Sequence, residues 1–179
     1  SSNLERQLFE LTGRDGEAIG RWMADLNEKH CFRVDSDTFA RVRENFSADS
    51  IDNAHCLATI KEVLDEHGYL LDPHTAVAYA AAQNLRGENP VLIASTAHWA
   101  KFGDNVYRAL HAMAPGEALP AEVASLTGCQ LNERIAEETG RCDIPAGLAN
   151  LDTMEVRFTD VIDNDVEAIE AAAEAFCRR

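Results

Sequence analysis

The sequence predicts an α/β protein that is mostly helical and contains only a few strands. Apolar residues recur at helical spacing through the first half of the chain, which is typical of amphipathic helices. The uncharged run VLIAS at residues 91–95 has no polar alternation, which is typical of a strand covered on both faces. Short joins connect this run to helical segments before and after it, and that order is characteristic of α/β folds.

Three amphipathic helices are predicted ahead of that run. The first covers residues 15–29, the second runs from Phe39 to Phe46, and the third runs from Leu57 to Leu64. Gly68 is placed to end the third helix, because glycine readily adopts the left-handed conformation that closes many helices. Between the first two helices, CFRV at residues 31–34 is a candidate extended segment.

A fourth helix is predicted to begin at Asp72-Pro73. Aspartate accepts hydrogen bonds from free backbone N–H groups, and proline fits the first helical turn. The helix continues as HTAVAYAAAQNL, whose middle has almost no polar face, so we expect it to be buried. After VLIAS the chain is expected to enter another helix at once, with Thr96 as its N-cap.

The last third of the chain is predicted to be less regular. Residues 114–150 hold four glycines and three prolines, which favours loops. The alternating MEVRFTDV at residues 154–161 predicts an edge strand, and the apolar spacing from Val166 to Phe176 predicts a closing helix. Two or three strands are few for a sheet, so either the fold is mostly helical or the chain carries the end of a sheet begun elsewhere.

Charge and cysteine content restrict the partners and the compartment. The chain has 179 residues and a formal charge of -15, and a field of that sign repels the phosphate backbone of nucleic acids. No apolar run approaches the roughly 20 residues that span a bilayer, so no membrane partner is expected. The start SSNLERQLFEL does not resemble a signal peptide and the five cysteines include no CxxC pair, so we expect a cytoplasmic protein with free thiols and no metal site.

Ser95 and Thr96 are the main candidates for ligand contact. They follow the predicted strand, and ligands of open α/β sheets bind beyond the carboxyl ends of the strands. The N-terminus of the next helix would direct free N–H groups to the same place. The residues alone leave alternatives open: Thr96 as a helix cap only, His98 as a core histidine, and Lys101 as a solvated surface lysine.

A second candidate site lies at the N-terminus. Ser1-Ser2-Asn3 leads into LERQLFEL, with Arg6 one helical turn further on. Small polar residues with an arginine at a helix start can hold an anion, although many helix starts share this pattern. His74, in the first turn of the alanine-rich helix, is interpreted as a cap-region histidine that bonds local backbone.

Three motifs are together similar to those of one family. DPHTAVAY at residues 72–79, STAHWAKF at residues 95–102 and the N-terminal SSNLERQLFEL resemble, in the same order, segments of the C-terminal part of threonine synthase, a pyridoxal-phosphate enzyme. The resemblance covers essentially the whole chain and is firmest over residues 1–10 and 70–110. It departs from the family at Trp99, where proline is usual.

The resemblance implies that residues 1–179 are the C-terminal part of such an enzyme and form an incomplete domain. Residues 1–89 would be a helical region. Residues 90–179 would supply a sheet strand, the helices that follow it, and a C-terminal strand and helix. The strands would belong to the three-layer sheet of a fold type II pyridoxal-phosphate enzyme.

The resemblance also implies a reaction, the conversion of O-phosphohomoserine and water into threonine and phosphate in threonine biosynthesis. Thr96, with Ser95, would face the pyridine nitrogen of pyridoxal 5'-phosphate, and Asn3, Arg6 and Lys101 are candidates for substrate contact. The family's cofactor-binding lysine lies upstream of these motifs, so no catalytic residue is expected here and the isolated chain should be inactive. Its partners would be the N-terminal remainder of the enzyme and further copies of itself.

The sequence leaves two alternatives open. The chain could be a free-standing homologue without catalysis that binds a small molecule or a protein, and the length of the coding sequence would separate this from a fragment. It could also belong to a threonine-synthase-like phospho-lyase with another phosphorylated substrate, which substrate assays on the full-length protein would decide.

Overall fold

The computed structural model describes residues 2–178, which form ten α-helices and two 3₁₀ turns. The helices are α1 (Ser2–Leu11), α2 (Gly16–Lys29), α3 (Ser36–Asn45), α4 (Asn53–His67), α5 (Pro73–Leu85), α6 (Gly103–Leu110), α7 (Ala121–Ala124), α8 (Gly128–Thr139), α9 (Ala146–Ala149) and α10 (Val166–Cys177). The 3₁₀ turns cover Trp99–Lys101 and Leu151–Thr153. Within residues 2–178, no helix is long and apolar enough to cross a membrane.

The predicted α/β class is wrong, because the described part of the chain is all helical and contains no strand. Residues 31–34, 91–95 and 154–161 form neither helix nor strand. A strand exists only when its backbone N–H and C=O groups pair with a neighbouring strand. An apolar run indicates a need for burial without supplying that neighbour, and here Leu92 is 98% exposed.

The four helices predicted in the first half are confirmed, and local caps explain where they begin. Each follows an aspartate whose carboxylate accepts a hydrogen bond from a backbone N–H of the first turn; the four are Asp15, Asp35, Asp52 and Asp72. Gly68 ends α4 with φ at 68°, a left-handed conformation that glycine adopts without steric strain. Pro73 occupies the first turn of α5, as predicted.

The core lies between α4, α5, α6 and α8. Ile60 of α4 and Ile135 of α8 are completely buried in it. Ala76 and Ala80 lie on the buried face of α5, which packs against α4, and their small side chains allow a close approach. Val77, on the other face, is 36% exposed, so burial of the alanine-rich helix is one-sided rather than complete.

Residues 114–150 contain an ordered element that their glycine and proline content did not indicate. Helix α8 carries Leu131 and Ile135 into the core. It begins with a capping box, in which Thr127 accepts a hydrogen bond from the Gln130 backbone N–H and the Gln130 side chain accepts one from the Thr127 N–H. The Thr-x-x-Gln spacing is the sequence signal that could have located this helix.

The two ends of the chain pack differently. Helix α1 packs against α2 and α3 and buries Leu8, and Arg41 of α3 donates from Nη1 to the Leu11 carbonyl at 2.7 Å. Helix α10 confirms the predicted closing helix, but no residue between 151 and 178 is buried. This C-terminal segment, residues 151–178, therefore leaves its apolar side chains exposed.

Candidate functional site

The first turn of α5 is organised by the carboxylate of Asp72. This residue is 3% exposed and accepts hydrogen bonds from the His74 N–H at 2.9 Å and the Thr75 N–H at 3.3 Å. The Thr75 hydroxyl also donates to the second carboxylate oxygen. Three donors on one carboxylate fix both Asp72 and the orientation of the Thr75 side chain.

Thr75 connects this helix start to the loop formed by residues 95–101. Its hydroxyl oxygen lies 3.0 Å from Ser95 Oγ, and Ser95 Oγ lies 3.3 Å from the Ala97 carbonyl oxygen. Because the Thr75 proton goes to Asp72, the Thr75 oxygen is free to accept from Ser95, whose single proton can serve either Thr75 or Ala97. The chain Asp72–Thr75–Ser95 therefore joins the DPHTAVAY and STAHWAKF motifs.

The electrostatics of this junction favour an ionised Asp72. Burial alone would raise the pKa of its carboxyl, but the hydrogen bonds from Thr75 and His74 outweigh burial and hold that pKa below the usual range. Burial, together with the Asp72 charge, raises the pKa of the Cys56 thiol, which donates to the Pro73 carbonyl at 3.3 Å. His74 Nδ1 lies 3.4 Å from Asp72 Oδ1, so this histidine contacts the capping carboxylate through its ring.

The second half of the loop forms the 3₁₀ turn Trp99–Lys101. His98 caps this turn, since its Nδ1 accepts a hydrogen bond from the Ala100 N–H at 3.2 Å. The prediction that Thr96 caps the next helix is wrong, because α6 begins only at Gly103. Trp99 is 3% exposed, so its ring anchors the turn in the core instead of covering the loop surface.

A cavity of about 220 Å³ lies beside the loop. Its walls are residues 68–70 with Asp72, Ser95 with residues 97–99, and residues 141–143. The last group adds one basic residue, Arg141, and one acidic residue, Asp143, to the lining. The cavity therefore suits a small polar or charged ligand, and its third wall comes from a segment that sequence reasoning left out.

The structure places the predicted site residues in two locations. Ser95, Thr96 and Lys101 share the 95–101 loop; Ser95 is held by Thr75, whereas Thr96 and Lys101 are exposed and make no side-chain hydrogen bond or ion pair with any residue between 2 and 178. Asn3 and Arg6 lie on α1, where the Arg6 guanidinium donates to the Asn3 side-chain oxygen. Arg6 lines a groove between α1 and α2 that is distinct from the cavity beside the loop.

Sequence reasoning missed the residues that hold the loop in place. The sequence pattern indicates only that Thr75 lies in a helix, and it does not indicate Asn132 of α8, whose Nδ2 donates to the Ala100 carbonyl at 2.8 Å. Their partners lie 20 and 32 residues away in the sequence, so no local pattern signals either contact.

Comparison with known protein families shows which proteins this chain is similar to. The profile of the family described as "Threonine synthase, C-terminal" matches residues 75–139, a stretch that begins at Thr75, includes the 95–101 loop and ends with α8. Over these residues the chain is similar to the C-terminal region of threonine synthases. Ser95, Thr96, Lys101 and Asn132 lie inside the region matched by the threonine synthase profile, whereas Asn3 and Arg6 lie outside it.

Individual proteins of the threonine synthase family show the same relationship. Threonine synthase-like 1 of Homo sapiens is 37% identical over 111 residues, which are 62% of this chain and 15% of that protein. Threonine synthase of Pseudomonas aeruginosa is 36% identical over 128 residues, which are 70% of this chain and 27% of that protein. The crystal structure of pyridoxal-phosphate-bound threonine synthase from Brucella melitensis aligns with a TM-score of 0.56 and 34% identity, over 79% of this chain and 32% of that chain.

The chain thus corresponds to well under half of each of these threonine synthase relatives. The predicted resemblance to the C-terminal part of the threonine synthase family is confirmed.

Proposed function

We propose that this chain is the C-terminal part of a pyridoxal-phosphate-dependent threonine synthase, which converts O-phosphohomoserine and water into threonine and phosphate. The observation that carries the proposal is the Asp72–Thr75–Ser95 junction, which joins two family motifs and leaves the Thr96 hydroxyl exposed beside them. The similarity to a pyridoxal-phosphate-bound threonine synthase supports the choice of cofactor.

The residues of the loop fit contact with a pyridine ring. Thr96 is exposed and its hydroxyl has no partner among residues 2–178, so it can bond a ring nitrogen. The Ser95 hydroxyl proton already serves Thr75 or Ala97, so the proposed contribution of Ser95 is to hold Thr96 in place. When bound, the cofactor supplies the electron sink, and a neutral hydroxyl at its nitrogen leaves the ring less protonated than a carboxylate would.

The cationic residues are proposed to serve the anionic substrate. Lys101 is exposed and is the last residue of the 3₁₀ turn. On α1, the bond from Arg6 to Asn3 orients the guanidinium, which leaves further N–H donors for a phosphate or carboxylate. Because Arg6 lines a separate groove, its contribution requires surfaces from the remainder of the enzyme.

No lysine of this chain is proposed to bind the cofactor covalently. Lys29 pairs with Asp25 at 2.6 Å, and Lys61 pairs with Asp65. Lys101, the third and last lysine of the sequence, lies in the STAHWAKF motif, and the family segment that this motif resembles is not the one that carries the covalent lysine. The covalent lysine is therefore proposed to lie in the remainder of the enzyme, and this chain alone to be inactive.

The remainder of the enzyme is also the proposed partner of the exposed apolar surface. In the C-terminal segment, Phe158 is 69% exposed and Val161 is 97% exposed, and Leu92 near the loop is 98% exposed. Exposed apolar surface of this kind favours association, and salt weakens the opposing charge repulsion. We expect the isolated chain to self-associate, more so at high salt, in sedimentation equilibrium. A monomer at high micromolar concentration in both low and high salt, with no binding of a hydrophobic dye, would contradict this expectation.

A second candidate function is a phospho-lyase of the same family that acts on another phosphorylated substrate. The similarity to a protein named threonine synthase-like 1 favours keeping this candidate, since that name identifies a relative of threonine synthase and not a threonine synthase. The two candidates share the proposed cofactor and loop, and they differ only in the substrate.

Substrate assays on the full-length enzyme that carries this chain test both candidates. Threonine and phosphate release from O-phosphohomoserine is measured beside release from other phosphorylated amino alcohols. Equimolar threonine and phosphate from O-phosphohomoserine is the expected result. Phosphate release from a different substrate alone would select the second candidate, and no release from any substrate would refute both.

A further inference from the structure

The carboxyl end of the 95–101 loop is held by a buried amide from α8. Asn132 is 5% exposed, and its Nδ2 donates to the carbonyl oxygen of Ala100 at 2.8 Å. Ala100 is the central residue of the 3₁₀ turn and is itself buried. The contact therefore joins the turn directly to a helix that is anchored in the core.

The Ala100 carbonyl depends on this donor because helical hydrogen bonding is interrupted at Phe102. Within the turn, the Lys101 N–H goes to His98 and the Phe102 N–H goes to Trp99. Phe102 then departs from helical geometry, with φ at -133° and ψ at 38°. Among residues 2–178, no backbone N–H outside the regular helices donates to the Ala100 carbonyl, so Asn132 supplies the bond that a continuous helix would have supplied.

Asn132 closely approaches Gly103, the first residue of α6. A Cβ added at Gly103 would lie 3.1 Å from Asn132 Oδ1 and 3.1 Å from Leu131 Cδ2. Asn132 Oδ1 is buried and has no hydrogen-bond partner among the described residues. An apolar side chain would fill this core position without leaving a buried oxygen unpaired, so the amide is explained by the hydrogen bond it donates and not by packing alone.

We infer that Asn132 is a positioning residue for the loop that carries Thr96. The loop is fixed at one end by Ser95 against Thr75 of α5, and at the other end by Ala100 against Asn132 of α8. Thr96 lies between these two anchors, so its hydroxyl is presented from a loop whose ends cannot move independently of the core. The inference rests on the proposed function only in assigning the cofactor as the group that Thr96 contacts.

Two variants remove the amide donor in different ways. Asn132→Asp keeps the shape of the side chain but places an acceptor against the Ala100 carbonyl. Asn132→Leu keeps a similar volume and also removes the unpaired oxygen. Ile135→Val is the matched control, because Ile135 lies on the same helix, is completely buried and has no polar group in its side chain.

Trp99 gives a readout of the loop that does not need the cofactor. In a Trp22→Phe background of this chain, Trp99 is the only tryptophan, and it is 3% exposed beside Ala100. We expect its emission to shift to longer wavelength and its quenching by acrylamide to increase in Asn132→Asp and Asn132→Leu, with both unchanged in Ile135→Val. Unchanged Trp99 emission in both Asn132 variants would overturn the inference.

The second readout is the dissociation constant of pyridoxal phosphate in the full-length enzyme. Loss of one positioning hydrogen bond is expected to weaken binding about tenfold in both Asn132 variants, and Ile135→Val should change it less than about twofold. Equal weakening in Ile135→Val would overturn the positioning role, since it would reflect general destabilisation. If the wild-type enzyme bound no pyridoxal phosphate, the proposed function would fail, while Trp99 emission would still decide whether Asn132 fixes the loop.

Gly103→Ala tests the same contact from the other side. The added methyl group would crowd Asn132 Oδ1 and Leu131 Cδ2, each at 3.1 Å, without changing the amide, so this variant serves where an Asn132 variant does not fold. The same shift in Trp99 emission is expected, and its absence would count against the contact that the inference requires.

Discussion

The packed region, residues 53–139, and the C-terminal segment, residues 151–178, are both rich in apolar residues but use them in opposite ways. In the packed region Ile60, Val106 and Ile135 are completely buried. In the C-terminal segment no residue is buried, and Val161 is 97% exposed. The difference shows that an apolar pattern predicts a need for burial. Whether the segment is in fact buried depends on which other elements pack against it.

The candidate site lies where exposed apolar residues give way to buried ones along the chain. Leu92, three residues before Ser95, is 98% exposed, and Trp99, four residues after Ser95, is 3% exposed. The 95–101 loop is therefore packed on one side and open on the other. This arrangement lets the core fix the loop while Thr96 stays accessible to a ligand.

The largest expected effect separates the two regions by their response to truncated side chains. Ile135→Ala should lower the free energy of unfolding by about 2–5 kcal/mol, because it leaves a cavity in a closed core. Val161→Ala, the matched change in the C-terminal segment, should stay within about 0.5 kcal/mol. Urea unfolding of the two variants of this chain measures both effects. Equal losses would show that the C-terminal segment packs as tightly as the core.

Hydroxyl removal gives a smaller contrast between the regions. Thr75→Val removes two hydrogen bonds, to Asp72 and Ser95, and should lower the free energy of unfolding by about 1–3 kcal/mol. Thr153→Val removes one exposed bond, to the Asn150 carbonyl at 3.0 Å, and should have an effect within about 0.5 kcal/mol. Thermal unfolding compares the pair, and a Thr75 variant as stable as the Thr153 variant would refute the junction.

Local signals in the sequence were enough to predict the helices of the first half. Asp72, Pro73 and Gly68 act on the backbone within one turn, so their roles can be read without knowledge of the fold. The strands were wrongly predicted because pairing depends on a neighbour that the sequence pattern does not identify. Helix α8 was missed because glycine and proline content outweighed the capping box at Thr127.

The sequence indicates the loop of the candidate site but not the contacts that hold this loop. The sequence places Ser95 and Thr96 directly after the apolar run, and the structure puts both in the 95–101 loop, where Ser95 lines the cavity and Thr96 does not. Thr75 and Asn132 were beyond sequence reasoning, because each acts through a contact made by folding. The capping residue is His98 and not Thr96, because the chain forms a 3₁₀ turn before the helix and His98 caps that turn.

The smallest expected difference concerns the acid stability of the packed region. Burial alone would raise the pKa of Glu138, but hydrogen bonds from Arg134 and His111 outweigh it and hold that pKa below its usual range. A carboxyl with a lowered folded pKa stabilises the protein above its unfolded pKa of about 4.3, and this stabilisation is lost as pH falls through the folded value.

Glu138→Gln tests this contribution against Glu174→Gln in the C-terminal segment. At neutral pH, Glu138→Gln should lower the free energy of unfolding by up to about 1 kcal/mol. On acidification below about pH 4, the free energy of unfolding of this variant should fall by less than that of the wild type. The second removes an exposed pair with Arg178 at 2.9 Å and should leave the acid profile unchanged. Urea midpoints between pH 3 and 7 measure both, and parallel profiles for all three proteins would contradict the assignment to Glu138.

The central claim is that the packed region holds Thr96 so that its hydroxyl meets the cofactor, and turnover of Thr96 variants in the full-length enzyme tests it most directly. Thr96→Val should lower turnover by raising its activation free energy by about 1–3 kcal/mol, which is the size of one lost hydrogen bond to a buried partner. Thr96→Ser, which keeps the hydroxyl, should remain close to wild type. Because Thr96 is exposed and caps no helix, neither variant should lower the melting temperature. Full turnover in Thr96→Val, with pyridoxal phosphate bound as in wild type, would contradict the account.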